Sequence, residues 1–517
     1  MSDGRPRVRV QWRTSLALVG RVVKWLTAAL AFPLAVALAY GELDAAAVFI
    51  ATMAVALVGG LALERLEPDP DLNPREAFLM VAATWLAVAL VGALPYVLAG
   101  NGTVAHPINA LFESMSGFTT TGATVMGDIS LETHSRAVLL WRQETQWLGG
   151  MGIVVLAVAI LPELSVGGAQ LLDAEAPGPG LEKLTPRIAE TARALWLIYL
   201  GFTLLEMLLL YGLHLAGSAP NMDLYNAVAH GLTTLPTGGF SPEARSIEAF
   251  SAAVQWVIIP FMVVAGANFA LFWRALRGDL RTVVRDSEFR FYLGVLAAVS
   301  AVVAGLLFTG PGLTSAPPNV GTIPGDAGLS LRHALFQTVS IVTTTGYASL
   351  DFNAWSPAAK YLLLAAMFVG GSAGSTGSAI KMIRWLVILK SFRRELFTAV
   401  HPDAVSPVRL AGRSLDERAV RGIYGWTLLY FAIFGVGTAL VFLESARVGL
   451  SLSVLETTSA VAATLGNVGP GFGAVGPMNS YLLFSPATKV FMALLMLAGR
   501  LELIPLLVLL TRTYWQS

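Results

Sequence analysis

The stretch "FTTTGATVMGD", Phe118–Asp128, sets three threonines and a glycine between two long apolar runs. It has three relatives downstream. "NALFESMSGFTTTGATV" (109–125) is matched by "NAVAHGLTTLPTGGFSP" (226–242), "HALFQTVSIVTTTGYAS" (333–349) and "ETTSAVAATLGNVGPGF" (456–472). Each joins an apolar stretch of helical length to small polar residues and then a glycine. Aligned on Gly122, Gly239, Gly346 and Gly469, the copies stand 117, 107 and 123 residues apart. Recurrence of this kind marks internal duplication. In the second copy Gly238 competes with Gly239 for the register. Gly239 is preferred because it keeps Asn226-Ala227 in line with Asn109-Ala110 and with His333-Ala334. One such stretch would be ordinary loop punctuation. Four in the same topological slot are not.

The slot is set by the surrounding composition. Of 517 residues, 55% are hydrophobic and 13% charged, about half the ~25% charged share of soluble domains. Most of the chain therefore faces lipid or other apolar helices. A formal charge of +1 offers no basic footprint for nucleic acid. The absence of cysteine excludes disulfides, thiolate metal sites and thiol redox chemistry. A span needs about 20 largely apolar residues. Ten such runs lie near 15–40, 45–64, 77–99, 137–161, 194–217, 250–273, 290–309, 357–390, 422–443 and 486–511. The eighth is long enough to be bent or broken. The first is read as a retained span, since no small-residue cleavage site follows it.

Basic residues orient the spans. Arg5, Arg7, Arg9 and Arg13 precede the first run, placing the N-terminus in the cytoplasm. The loops on that side then hold Lys183 and Arg187; Arg274, Arg277, Arg281 and Arg285; and Arg393, Arg394, Arg409, Arg413 and Arg418. The opposite loops hold only Arg245, Arg332 and Arg447 away from helix ends. An even number of spans leaves both termini inside. The chain thus divides into two N-terminal helices (1–70) and four span–short helix–loop–span units: 71–165, 185–280, 286–395 with a broken second helix, and 415–517.

Non-helical backbone at membrane depth must be buried in protein or line a watery cavity. Four copies around one axis can stack their main-chain carbonyls as rings that replace the water shell of a dehydrating cation. Small side chains suit a ligand that is main chain, and glycine tolerates the backbone turn. Each preceding short helix would point its partially negative C-terminal end at the axis.

On these motifs the chain resembles the Trk/Ktr/HKT superfamily of potassium transporters, in particular its TrkH-type membrane subunit. The resemblance covers essentially the whole chain. It rests on "TTTGAT", "PTGGFS", "TTTGYA" and "LGNVGPG", on "WRQETQWLGGMGI" (141–153), on "GGSAGSTGSAIKMIR" (370–384) and on "AGRLELIPLLVLL" (498–510). It implies an all-α polytopic membrane protein of ten transmembrane helices, eight of them in four pseudo-symmetric helix–pore helix–filter loop–helix repeats around one central pore. It also implies a homodimer, a cytosolic nucleotide-binding regulatory ring of the TrkA type, and the bacterial inner (plasma) membrane. The cargo would be K+, with no organic cofactor in this chain. The candidate potassium-binding filter is Thr119, Thr120, Thr121 and Gly122; Pro236, Thr237, Gly238 and Gly239; Thr343, Thr344, Thr345 and Gly346; and Gly466, Asn467, Val468 and Gly469. Leu235-Pro236 and Gly466-Asn467-Val468 depart from the pattern, so four-fold symmetry is expected to be imperfect. In this superfamily a serine at the first glycine goes with sodium permeation, which makes Gly122 the potassium-selective type.

The eighth run contains four glycines and three serines within Gly370–Ser378, a composition that breaks helices. An unwound segment there is expected just below the filter as a flexible gate made of Gly370, Gly371, Ser372, Gly374, Ser375, Thr376 and Gly377, with Lys381 and Arg500 adding charge. The competing reading is a packing kink. Arg500 lies near the middle of the last run, where a charge is costly and is usually functional or paired. It either faces the pore as an electrostatic barrier or pairs with a carboxylate such as Glu456 or Glu113. Lys381 either charges a closed gate or snorkels to the surface. Arg142 and Glu144 read as a structural polar patch near a helix end.

Two motif matches fail on context. Gly471-Phe472-Gly473-Ala474-Val475-Gly476 fits G-x-G-x-x-G without the strand and helix of a dinucleotide site. Gly370-Gly371-Ser372-Ala373-Gly374 fits G-x-S-x-G without a nucleophile elbow, so an enzyme using Ser372 is disfavoured. The six histidines show no metal-binding spacing. The alternative within the same architecture is an ion-coupled (H+ or Na+) potassium symporter with an alternating-access site at the broken helix.

Overall fold

A computed structural model describes residues 10–67, 74–155, 188–317, 319–404, 406–410 and 413–516. Arg5, Arg7, Arg9, Lys183, Arg187 and the end of the fourth apolar run lie outside these residues. Among the described residues the fold is helical, apart from a two-residue antiparallel ladder of Arg409–Leu410 with Arg413–Ser414.

Helices α1 (Trp12–Ala39) and α2 (Leu43–Glu64) form an N-terminal hairpin. They cross closely at Gly20 and Gly60, where a methyl on either would meet the other's carbonyl oxygen at 2.7 and 2.8 Å. Small residues permit this approach in lipid. Lys24 and Glu64 pair at 2.7 Å beside the crossing.

Then follow α3 (Pro74–Ala99), α4 (Pro107–Phe118) and α5 (Arg136–Val155). The second group is α6 (Ile188–Leu215), α7 (Leu224–Thr234), α8 (Ala252–Ala265) and α9 (Phe269–Leu276). A short α10 (Leu280–Arg285) leads to α11 (Ser287–Thr309), α12 (Ala327–Val342), α13 (Pro357–Ala366) and α14 (Met382–Val400). The last group is α15 (Glu417–Arg447), α16 (Val454–Leu465), α17 (Pro486–Arg500) and α18 (Ile504–Leu509), closed by α19 (Arg512–Gln516).

Among the described residues six helices are long and apolar enough to cross a membrane: α1, α2 and the helices that open the four groups, α3, α6, α11 and α15. The closing helices differ. Helix α5 carries a polar band from Arg142 to Gln146. Helices α8 and α9 are bent by 98°, α13 and α14 are separated by the Gly/Ser segment, and α17 and α18 part at Leu501–Leu503. The sequence predicts a break only in the eighth run; the sixth and tenth are broken as well. At the first of these, Asn268 takes the Ala270 amide on its side chain (2.9 Å) and starts a new helix. At the second, Glu502 and Leu503 adopt positive φ of 59° and 66°, so Arg500 ends a helix instead of lying mid-span.

The four short helices begin with side-chain caps. The Asp223 carboxylate accepts from Asn226 N–H (2.8 Å), Asp326 from Leu329 N–H (2.9 Å), and Ser453 forms a capping box with Glu456. His106 Nδ1 accepts from Ile108 N–H at 3.3 Å, with Pro107 at the first helical position. Such caps satisfy amides that the first turn leaves open.

Candidate ion-conduction site

Each short helix ends the same way. The amides of Thr121, Gly238, Thr345 and Val468 donate five residues back to Ser116, Thr233, Ser340 and Ala463 carbonyls at 2.8–2.9 Å. This is the terminal bond of a Schellman motif, whose left-handed residue is usually glycine. Here it is Thr120, Thr237, Thr344 and Asn467, at φ of 51°, 56°, 61° and 52°. Holding a non-glycine residue there costs about 1–3 kcal/mol per site, and the cost is repeated four times. Two residues on, Gly122, Gly239, Gly346 and Gly469 again have positive φ, from 76° to 102°. The backbone thereby selects Gly239, not Gly238, as the second copy's reference residue.

The four segments close a ring. A Cβ on Gly122 would strike the Gly238 carbonyl oxygen, one on Gly239 that of Thr345, and one on Gly346 that of Val468. A Cβ on Gly469 would meet Thr121 O, back in the first copy, at 2.7 Å. Each glycine thus abuts the carbonyl that precedes the next copy's glycine. All four glycines line one opening, together with Arg142, Glu243 and Tyr481. Pro236 lies in the same ring, and its carbonyl accepts the neighbouring Thr237 hydroxyl at 2.6 Å. Gly466 caps the fourth short helix in right-handed conformation.

Polar side chains behind the ring hold it. Glu113 accepts from Val125 N–H (2.8 Å), Gln337 from Ser349 N–H (3.0 Å) and Ser459 from Phe472 N–H (3.0 Å), each amide three residues past its glycine. In the second copy His230 Nε2 meets the Ser241 hydroxyl at 3.0 Å. Glu113, His230 and Gln337 all stand nine residues before their glycines. That column is visible in three of the aligned copies and is broken in the fourth, which has Ala460 there.

Arg142 ties the first copy to the second and is more than the polar patch expected of it. Its Nε donates to Glu113 Oε1 (2.6 Å), its Nη1 to Ser241 O (2.9 Å), and it lies over the Phe240 ring at 3.5 Å. Gln146 adds a second tie, donating to Gly238 O (2.6 Å) and accepting from Phe240 N–H (3.1 Å). Glu144 on the same helix is buried too. Breaking a buried ion pair by removing one partner costs about 3–5 kcal/mol. Arg142→Ala is therefore expected to lower the thermal unfolding midpoint of the purified protein clearly, and Glu113→Leu on that background to recover part of the loss.

The Gly/Ser segment crosses directly behind the ring. Every residue from Gly370 to Arg384 is buried. Thr376 Oγ1 donates to Leu235 O (2.8 Å) and Ala265 O (3.0 Å), Ser378 N–H to Thr344 Oγ1 (2.9 Å), and Ser372 N–H to Gly266 O (2.8 Å). Gly370 N–H meets Ile380 O and Met382 N–H meets Gly371 O, so the segment folds back on itself. Gly374, at φ 72°, makes the turn, and Ser375 Oγ donates to Ser372 O at 2.7 Å. A methyl on Gly377 would meet Thr343 O at 2.9 Å.

Arg500 is settled by its bonds. Its Nη1 donates to Thr376 O (2.8 Å) and Ser378 Oγ (3.0 Å), and its Nη2 to Gly149 O (3.0 Å). Pairing with Glu113 or Glu456 does not occur: Glu113 holds Arg142, and Glu456 takes Ser453 and Ala474 amides. Nor does Lys381 snorkel. It is 8% exposed and turns its ammonium back onto Gly377 O. Arg384 pairs with Glu502 and lies over Trp426 at 3.7 Å.

The comparisons with known proteins show the family. Residues 45–516 match the TrkH family, described as "Cation transport protein". The chain belongs to this family. It is a family of transporters and not of enzymes. The chain is 37% identical over 515 residues to the "Trk system potassium uptake protein TrkH" of Escherichia coli K12, covering 98% of this chain and 100% of that one. It is 33% identical to the E. coli "Trk system potassium uptake protein TrkG", covering 94% and 95%. The crystal structure of the potassium transporter TrkH from Vibrio parahaemolyticus superposes with a TM-score of 0.83 at 34% identity, covering 98% and 100%. This TrkH-family chain is a multi-pass membrane protein.

Proposed function

We propose that this chain carries out potassium uptake across the membrane, through a cation-selective pore whose ligands are main-chain carbonyls of Thr119–Gly122, Pro236–Gly239, Thr343–Gly346 and Gly466–Gly469. The observation that carries this reading is the closed ring of glycine-to-carbonyl contacts that links the four segments in turn. Backbone oxygens so arranged replace a dehydrating ion's water, while the four helix C-termini aimed at the ring favour a cation. The boundaries 71–165, 185–280, 286–395 and 415–517 are then four quarter-units of one pore, with 1–70 outside it.

Residues 370–381 are the gate in this reading. They lie across the ring's rear and are held by side chains or carbonyls from the second, third and fourth quarter-units. Beside them stand three cations, Lys381, Arg384 and Arg500, against two anions, Glu288 and Glu502. The surplus positive charge opposes a cation below the filter. Both termini are cytoplasmic, the membrane is the bacterial inner membrane, and the working unit is a homodimer. Its cytosolic partner is a nucleotide-binding ring of the TrkA type.

The test is tracer flux into liposomes holding the purified protein. Uptake should follow the potassium electrochemical gradient alone, whatever proton or sodium gradient is imposed. Uphill potassium accumulation driven by either gradient would replace the pore with the ion-coupled symporter.

A further inference from the structure

We propose that Glu288 is the latch of the gate segment, a positioning residue for conduction through which movement of the neighbouring charged connection reaches the pore. The inference rests on the reading of residues 370–381 as the gate. Glu288 sits in the first turn of α11 and is 1% exposed. It does not cap its own helix, because Asp286 already accepts from Phe289 N–H at 2.7 Å. Instead one of its oxygens, Oε1, accepts from Ala373 N–H at 2.7 Å and from Ile383 N–H at 3.1 Å. These amides belong to opposite limbs of the folded-back segment, one before the Gly374 turn and one in the first turn of α14.

The Ile383 bond fills a specific gap. Helix α14 begins at Lys381 without any side-chain cap of its own, which leaves first-turn amides open. Glu288 supplies that cap from another helix, and a carboxylate at a helix N-terminus is further favoured by the helix dipole. Burying a carboxylate is costly unless it is paired and hydrogen-bonded. Two charge-assisted bonds and the nearby Lys381 ammonium offset that cost only while the two limbs stay together. Separating the limbs strands the charge, so the carboxylate holds the segment closed.

The latch also has a handle. Helix α11 continues directly from α9–α10, where Arg277, Arg281 and Arg285 are exposed. A cytosolic partner that displaces this connection moves Glu288, one helical turn away. Arg500 grips the same segment from the other side, through Thr376 and Ser378. The closed state thus has two independent holds.

The test uses full-length protein in potassium-loaded liposomes with no partner added. Glu288→Ala should raise resting potassium flux at least about tenfold, the change that loss of one charge-assisted hydrogen bond brings. Glu288→Gln keeps a carbonyl oxygen for both amides but loses the charge, and should give a flux between those of the parent and Glu288→Ala. Because the chain has no cysteine, a single Ser375→Cys reporter, buried in the parent, reads the segment directly. Its thiol should be modified fastest on the Glu288→Ala background, at an intermediate rate on the Glu288→Gln background and slowest in the parent. A Glu288→Ala protein that does not survive purification is replaced by Glu288→Asp, one methylene short, with the same direction expected. A Gly374→Ala/Gly377→Ala variant separates the two possible failures. If it changes flux while the alanine or aspartate variant changes neither flux nor thiol reactivity, the latch is overturned and the gate stands. If neither changes flux, the gate reading falls and the latch with it. A fall in flux on removing the carboxylate also overturns the latch.

Discussion

Gly122→Ser is expected to cut the potassium-over-sodium flux ratio at least about tenfold, equivalent to about 1.4 kcal/mol of differential stabilisation. Gly122 has φ of 80°, a conformation that costs a non-glycine residue about 1 kcal/mol or more. A Cβ at that position also runs into the Gly238 carbonyl oxygen of the next copy. Relief requires that carbonyl, or the Gln146 side chain bonded to it, to move. Moving one carbonyl of a ring changes how well the ring replaces an ion's hydration shell, and the two alkali ions differ in what they require. The ratio is read from tracer competition or from the reversal potential of reconstituted protein. Gly122→Ala should show the same direction, since the clash begins at Cβ. An unchanged ratio in both variants would remove the backbone ring from the selectivity mechanism.

Arg500→Ala is expected to raise resting potassium flux at least about tenfold, because it removes charge-assisted bonds worth about 1.5–3 kcal/mol each. The guanidinium joins Thr376 and Ser378 of the Gly/Ser segment to Gly149 of α5. Three acceptors in different directions suit its planar fork and not an ammonium. Arg500→Lys should therefore give an intermediate flux, even though it keeps the charge. The variant also takes away one of three cations behind the ring, which lowers the electrostatic barrier in the same direction. Liposome flux at fixed potassium gradient checks both. A lower or unchanged flux in Arg500→Ala would mean that the segment does not close the pore.

Parts of this site were legible in the sequence and parts were not. The four ring glycines could be found because a positive φ beside a neighbouring carbonyl excludes side chains, so the backbone demand leaves a mark in residue type. The break in the eighth run was visible for a similar reason, since no straight span carries "GGSAGSTGS". The breaks at Gly266–Asn268 and Leu501–Leu503 left weaker marks, because each is only a few residues long inside an apolar run. Arg142 and Glu113 are separated by 29 residues and a turn of the chain, and no local pattern relates them. From the sequence alone Arg500 either faces a pore or pairs with an acid. In the folded chain it bonds mostly to carbonyls, which are present at every residue and therefore announce nothing.

The sequence by itself determined the class of molecule: an apolar chain with four related segments, each joining a short helix to a glycine that only a special backbone could require. Tertiary structure alone decided that those segments meet in order around one ring, that Arg142 and Gln146 brace it, and that Glu288 and Arg500 grip the segment behind it. The physical reason is the nature of the partners. Apolar periodicity and glycine are written in side chains, whereas a ring of main-chain oxygens comes into being only when four distant stretches are brought together.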